Sequence, residues 1–460
     1  MRHDSDTIFA QATPPGRAAI AVIRISGARA FAAPSLFGCT VPAAGRFQLA
    51  HLVDGNGARL DEALILAMKG PASSTGEDVV EIHAHGSLAV TAAILQRLGQ
   101  EDGFRPAGPG EFTHRMFANG KIDLLGAEAL ADLIDAETDR QRLQAWRQRD
   151  GSLHRPVDSW RAALIRLAAQ LEVVIDFADE ELPGDIEARI HADTQALADA
   201  MASVLDDDHE GERVRSGVTV SLVGPVNAGK STLLNRLAGR DVAIVSSQAG
   251  TTRDVVSVRI DLDGVPVTLL DTAGVRDTDD AIEAEGVRRA RHAARESDAA
   301  LIVLDASSPS WQTDLAALQE LAGGAQAVLL TRRDRLGADA IAAVLTALDG
   351  LPTPGCLVSL DDEAEAGTGA FEQVLGLLRG LVVPANRPDT QSIITRARHR
   401  HALQRTVDAL RAADRLDLAA APELAAEEYR RAADSLGRLT GQVDVEELLD
   451  SIFSSFCIGK

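Results

Sequence analysis

The sequence predicts a multidomain α/β plus α fold, with an α/β domain at the N-terminus and a helical domain interrupted by a second, doubly wound α/β domain. Three observations carry this prediction. Strand-like alternation marks the first 120 residues, and helical periodicity takes over at Lys121. From Gly217 to Pro384 strand and helix patterns alternate, after which helical spacing returns to the end of the chain. At 460 residues there is room for about three domains at roughly 150 residues each, every one able to bury its own core.

In the first segment, residues 1–120, "IAVIRI" from Ile20 to Ile25 and "DVVEIHAH" from Asp78 to His85 alternate as strands do. Period two places Arg24 on the face of Ile20 and Val22. It places Glu81, His83 and His85 on one face and Val80, Ile82 and Ala84 on the other. The ordinary reading is a half-buried sheet with a solvated face; His-x-His without a third clear ligand is a weak metal pattern. In residues 121–216, "WRAALIRLAAQLEVVIDF" spaces Trp160, Leu164, Leu167, Leu171 and Val174 by four and three, which predicts one apolar stripe on a long helix. Residues 217–384 open on the apolar strand "GVTVSLVG" and form the inserted domain. Residues 385–460 are helical again, with Val445, Leu448, Leu449, Ile452 and Phe456 on one side, and the two helical halves are expected to pack together.

A formal net charge of −22 argues against a protein that wraps nucleic acid by itself, since phosphate binding draws on Lys and Arg displacing counterions. Of 46 basic residues only Lys69, Lys121, Lys230 and Lys460 are lysine. A lysine surviving that bias is a candidate for work that needs a compact point charge rather than a planar fork. Cys39, Cys356 and Cys457 are widely spaced and odd in number, which suggests reduced thiols rather than a disulfide framework or zinc site. No apolar run approaches the ~20 residues that span a bilayer, and "MRHDSDTIFA" lacks the pattern of a signal peptide, so a cytoplasmic chain is expected.

The strongest motif is "GPVNAGKST", Gly224 to Thr232, which fits G-x-x-x-x-G-K-[ST] between a strand and a helix. Its amides, from Asn227, Ala228 and Gly229 through Lys230, Ser231 and Thr232, are suited to cradle phosphate. Lys230 would neutralise the β and γ oxygens, and Ser231 would supply a magnesium ligand. Thr251 and Thr252 of "AGTTRD" follow as a switch, with Thr252 completing the magnesium shell. Then Asp271-Thr272-Ala273-Gly274 follows the strand "VPVTLL", with Asp271 as the third magnesium residue. This order is specific for a GTPase. Ras-like enzymes carry a water-orienting glutamine just after the glycine, and Val275 cannot take that role. The guanine signature Asn-Lys-x-Asp is matched by Thr331-Arg332-Arg333-Asp334, which keeps the aspartate and loses the amide, and the last base-contact element by Ser359. Guanine preference with weakened affinity is expected.

Together with "DTIFAQATPPGRAAIAVIRISG", "STGEDVVEI", "PGEFTHRMFANGKIDLLGAEALADLI", "VVIDFADEE" and the closing "FCIGK", these motifs resemble the MnmE (TrmE) family of tRNA-modification GTPases over almost the whole chain. The resemblance implies an N-terminal folate-binding-like and dimerisation domain, and a helical domain interrupted by a Ras-like P-loop GTPase domain. It implies a potassium ion in place of an arginine finger, held by Asn227 with Ser246, Gln248 and Thr251 of the segment Ser246, Ser247, Gln248, Ala249, Gly250 and Thr251. Glu283 would order the attacking water; without the resemblance it reads as an exposed glutamate at a helix start. Folate contacts would fall on Arg24, Glu81, Lys121 and Lys460, the donor being a tetrahydrofolate derivative, 5-formyl or methylene. Cys457 would be catalytic or would complete the folate pocket. The implied partners are a second copy of the chain, the flavoprotein MnmG (GidA) in a heterotetramer, and tRNA. The implied outcome is a (carboxymethyl)aminomethyl group on C5 of the wobble uridine. Two competing readings are a GTP-binding regulatory switch without modification chemistry and a folate enzyme with a degenerate GTPase domain.

Overall fold

The computed structural model describes residues 6–176, 185–239, 242–244, 257–271, 295–360, 369–382, 392–441, 449, 452–454 and 456–459. The chain divides into two compact units. One comprises Met1–Ile134, Arg147–Met201 and His401–Lys460, the other Asp135–Trp146 and Ala202–Arg400.

The first unit holds a six-stranded sheet of β1 (Thr7–Gln11), β2 (Ala18–Ser26), β3 (Arg46–Val53), β4 (Arg59–Met68), β5 (Val79–Gly86) and β6 (Phe104–Pro106). Its order is β3-β4-β5-β2-β1-β6, antiparallel except for the β1–β6 pair. Alternation decides which face is covered. Ile23, Ile25, Ile65, Val80, Ile82 and Ala84 point to one side and pack with Ala30, Ala33 and Phe37 of the 3-10 helix Ala30–Phe37 and with Ile94 and Leu98 of the helix Leu88–Gly99. On the other side Ile8 and Ala10 of β1 pack with Ala107 and with Phe112 of the helix Glu111–Ala118. Farther along, Ile20, Phe47 and Leu49 stay 58%, 70% and 63% exposed, an apolar sheet face open to solvent.

The helical part follows the sequence pattern closely. The helix His154–Asp176 buries Val157, Trp160, Leu164, Leu167, Leu171 and Val174, the four-and-three stripe, and the helix Pro422–Thr440 packs along it. Tyr429, 2% exposed, meets Thr194 Oγ1 at 2.6 Å through its hydroxyl, so the one polar atom of a buried aromatic finds a partner. Farther on, Val445 and Leu448 lie outside the described residues, and among the described residues from 449 onward the buried apolar side chain is Phe453, 4% exposed, rather than Ile452. Phe453 sits edge-on to His114 with centroids 5.2 Å apart. The last residues return to the sheet. Ile458 bridges Pro109, and Gly459 passes so close to β1 that a Cβ there would lie 2.4 Å from Gln11 O, which leaves room for glycine alone.

The second unit holds β7 (Val218–Val223), β8 (Ser257–Leu262), β9 (Val265–Asp271), β10 (Ala299–Asp305), β11 (Ala325–Thr331) and β12 (Gly355–Leu357) in the order β12-β11-β10-β7-β9-β8. All pairs are parallel except β8–β9. Buried on both faces, β10 reads as the unbroken apolar run expected of a central parallel strand. The chain leaves β7 toward neighbours on both sides, which makes its carboxyl end a topological switch point, the place where such sheets bind ligands. Residues 135–146 and 202–216 cluster with this unit: Thr138 Oγ1 donates to Gly264 O at 2.7 Å and Gln141 Nε2 to Arg215 O at 2.9 Å.

Candidate functional site

The loop after β7 turns into the helix Lys230–Ala238, and its shape is set by backbone constraints. A Cβ on Gly224 would stand 2.1 Å from Val303 O, so this position accepts only glycine. Asn227 takes a left-handed backbone, φ 64°, which folds the loop back over the helix start. The result is a cavity of about 580 Å³ at the carboxyl ends of the parallel strands, lined by Asn227, Gly229, Lys230, Ser231, Thr232, Asp271, Thr331 and Arg332, with Val226 and Leu360.

Lys230 is buried and donates from Nζ to Gly224 O at 2.7 Å and Pro225 O at 2.8 Å. Burial pushes its pKa down, against the pull of the Asp271 charge. Ser231 Oγ donates to Asp271 Oδ2 at 3.2 Å, while Oδ1 of the same buried carboxylate has no hydrogen-bond partner among the described residues. An orphaned carboxylate oxygen beside a serine hydroxyl is an all-oxygen donor set of the kind that suits magnesium. Together with the loop amides, this arrangement can hold a polyphosphate and its counter-ion.

The floor of the cavity comes from the end of β11 and its continuation. Thr331, 1% exposed, donates from Oγ1 to Ala228 O at 2.8 Å, with Leu304 O at 3.1 Å, and so ties the end of β11 to the loop after β7. Arg332 pairs through Nη1 with Asp305 Oδ2 at 2.6 Å and donates from Nη2 to Asn227 O. Ser359 Oγ donates to Asp334 Oδ1 at 2.7 Å. Sequence reasoning missed Asp305; the available signal was an aspartate ending an apolar strand in a chain whose base motif carries arginine. Ala228 contributes its carbonyl as well as its place in the loop. Ser246, Ser247, Gln248, Ala249, Gly250, Thr251, Thr252, Thr272, Ala273, Gly274, Glu283 and Lys460 lie outside the described residues.

In the N-terminal sheet the register opposes Arg24 to Glu81 and Val22 to His83. Arg24 Nε donates to Glu81 Oε1 at 2.8 Å, and His83 Nε2 meets Glu81 Oε2 at 3.0 Å. Burial alone would push the Glu81 carboxyl up, but the His83 hydrogen bond and the Arg24 charge outweigh it and hold it below the usual range. The Arg24 guanidinium carbon lies 5.9 Å from the centroid of the Phe112 ring. Lys121 points its Nζ to Pro71 O at 2.9 Å. Cys457 is an exposed free thiol whose carbonyl accepts from Gly110 N at 3.4 Å. Sequence reasoning missed the buried set beside this group. Arg115 pairs with Glu77 at 3.0 Å and Glu111 at 3.3 Å, and Ser26 donates to Glu77 Oε2 at 2.7 Å. Glu111 and Arg115 are an i,i+4 pair on one helix, but Ser26 of β2 and Glu77, ahead of β5, are joined to them by no local pattern.

A phosphate loop at the switch point of a parallel sheet, with an acidic strand end opposite its serine, defines a P-loop nucleotide-binding protein. Residues 7–121 match the family model described as the GTP-binding protein TrmE N-terminus, and residues 124–457 match the MnmE helical domain. Relatives named tRNA modification GTPase MnmE include those of Paramagnetospirillum magneticum, 47% identical over 99% of this chain and 100% of the relative, and Rhodospirillum rubrum, 47% identical over 99% of each. That of Parvibaculum lavamentivorans is also 47% identical, over 99% of this chain and all of the relative. The chain belongs to the MnmE (TrmE) family.

Proposed function

We propose that this chain is a potassium-activated GTP hydrolase that acts in tRNA modification, and that with a flavin-dependent partner, MnmG, it installs a (carboxymethyl)aminomethyl group on the wobble uridine. The observation that carries the reading is the Lys230–Ser231–Asp271 cavity in a chain 47% identical, end to end, to tRNA modification GTPases. Lys230 and the loop amides bind the β and γ phosphates, and Asp334, held by Ser359, takes the donor edge of guanine. Ser231 and Asp271, with Thr252, would hold magnesium, and Asn227, with Ser246, Gln248 and Thr251, would hold potassium; bound there, the cations would supply neutralisation of the charge on the phosphate oxygens. Glu283 orders the water.

Arg24, Glu81, Lys121 and Lys460 form the folate site of an N-terminal domain spanning 1–120, which precedes a helical domain of 121–216 and 385–460 around a GTPase domain of 217–384. A second copy of the chain covers the open sheet face, and its support is the exposure of Phe47, Leu49 and Ile20. The reading places the protein in the cytoplasm. It agrees with three free cysteines and with the absence, among the described residues, of a helix long and apolar enough to cross a membrane. The test is GTP turnover in potassium against sodium chloride at equal ionic strength. A large potassium stimulation lost in Asn227→Ala is expected, with Glu283→Ala binding nucleotide but inactive; equal rates in both salts would overturn it.

A further inference from the structure

The pairing in the N-terminal sheet leaves donors and acceptors unused in a particular pattern. Arg24 commits Nε to Glu81, while among the described residues its two terminal nitrogens make no hydrogen bond. Each Glu81 oxygen accepts one bond, Oε1 from Arg24 and Oε2 from His83, so a carboxylate with about four acceptor positions retains two. The side chains are 29% exposed for Arg24 and His83 and 12% for Glu81, so the group opens to solvent while the carboxylate itself is held. His85, two residues on, is engaged elsewhere, with Nδ1 2.8 Å from Asp61 Oδ1. His83 stands opposite Val22 and Leu64 in the adjoining strands, and among the described residues Glu81 is the hydrogen-bond partner of its ring.

A donor fork beside two free acceptor positions is the complement of an aminopyrimidinone edge, which presents a carbonyl, an N3–H and a 2-amino group in line. We propose that His83 is a positioning residue of the folate site: by holding Glu81 Oε2 it fixes the carboxylate to accept the N3–H and 2-amino donors of the pterin ring, whose carbonyl takes the free fork of Arg24. The inference rests on the folate-site reading above. His83 itself touches no ligand atom and acts through Glu81.

The test is isothermal titration of the full chain with 5-formyltetrahydrofolate and with its counterpart carrying a methyl in place of the 2-amino group. His83→Ala weakens 5-formyltetrahydrofolate binding by about tenfold, as expected for one hydrogen bond to a charged group, and His83→Gln, which returns an N–H donor, recovers most of it. With the 2-methyl ligand the His83→Ala loss shrinks severalfold, because the ring edge that His83 serves is missing and the two effects are coupled. A His83→Ala chain that binds 5-formyltetrahydrofolate as wild type does, or loses the same factor for both ligands, overturns the proposal. Glu81→Gln separates the two levels: if it leaves folate affinity intact, the folate site is wrongly placed. If Glu81→Gln abolishes binding while His83→Ala is silent, the site stands and the role of His83 falls.

Discussion

Thr331 stands where the guanine motif of related GTPases carries asparagine, and its hydroxyl makes Thr331→Val an informative change. Valine matches threonine in shape, so the packing around the side chain survives and only the hydroxyl is lost. The atoms involved are deeply buried: Thr331 and Leu304 are 1% exposed and Ala228 2%. The change removes the donor from Ala228 O at 2.8 Å and places a methyl group against that carbonyl and against Leu304 O. A buried acceptor left without its partner costs about 1–3 kcal/mol, and the burial of all three residues favours the upper half of that range. For a unit in the 150–250-residue class, each kcal/mol lowers the midpoint by ~2–4 °C, so a fall of about 4–12 °C is expected. Because Ala228 lies in the phosphate loop, GTP affinity should fall severalfold as well. Thr331→Ser is the control: it keeps the hydroxyl and loses one methyl, worth about 0.8 kcal/mol. Calorimetric melting and titration with a fluorescent guanine nucleotide report both effects. If Thr331→Val melts and binds like Thr331→Ser, the hydroxyl does not hold the loop and the reasoning fails.

Two further outcomes follow from the same structure. Gly224→Ala forces a Cβ to within 2.1 Å of Val303 O, and the strain, about 1–3 kcal/mol or more, should displace the phosphate loop. Nucleotide titration should then show lost binding in a chain whose far-ultraviolet circular dichroism is unchanged, whereas retained affinity would contradict the close approach. The depressed pKa of Glu81 makes a pH prediction: a carboxyl held low in the folded state adds stability above its ordinary value of roughly 4.3, and that contribution disappears as pH falls through the folded value. Urea midpoints between pH 7 and pH 3 should therefore drop more steeply for wild type than for Glu81→Gln, and parallel curves would show that the His83 and Arg24 contacts do not hold the charge.

Much of the molecule was legible because its elements carry their own periodicity. The stripe from Trp160 to Val174, the alternation of β2 and β5 that sets which of their side chains share a face, and the phosphate loop from Gly224 to Thr232 each depend on residues within a few positions of one another. What such spacing leaves open is which distant group answers a polar side chain. Thr331 reads in sequence as a lost amide, yet its hydroxyl holds a carbonyl 103 residues away. Arg332 reads as a lysine replaced under a compositional bias, yet its fork joins Asp305 and Asn227.

The sequence by itself determined the order of the α/β and helical stretches, the faces of the strands and helices, and the place of the G-x-x-x-x-G-K-S motif between β7 and a helix, because backbone geometry turns local spacing into direction. Only the tertiary structure decided that Asp271 presents an unpaired oxygen beside Ser231, that His83 rather than His85 clamps Glu81, and that Ile458 and Gly459 return to Pro109 and β1. Those outcomes depend on strand register and on chain segments far apart in sequence. A hydrogen bond or an ion pair is set by ångström-scale distance and by burial, and neither is a property of any single stretch of chain.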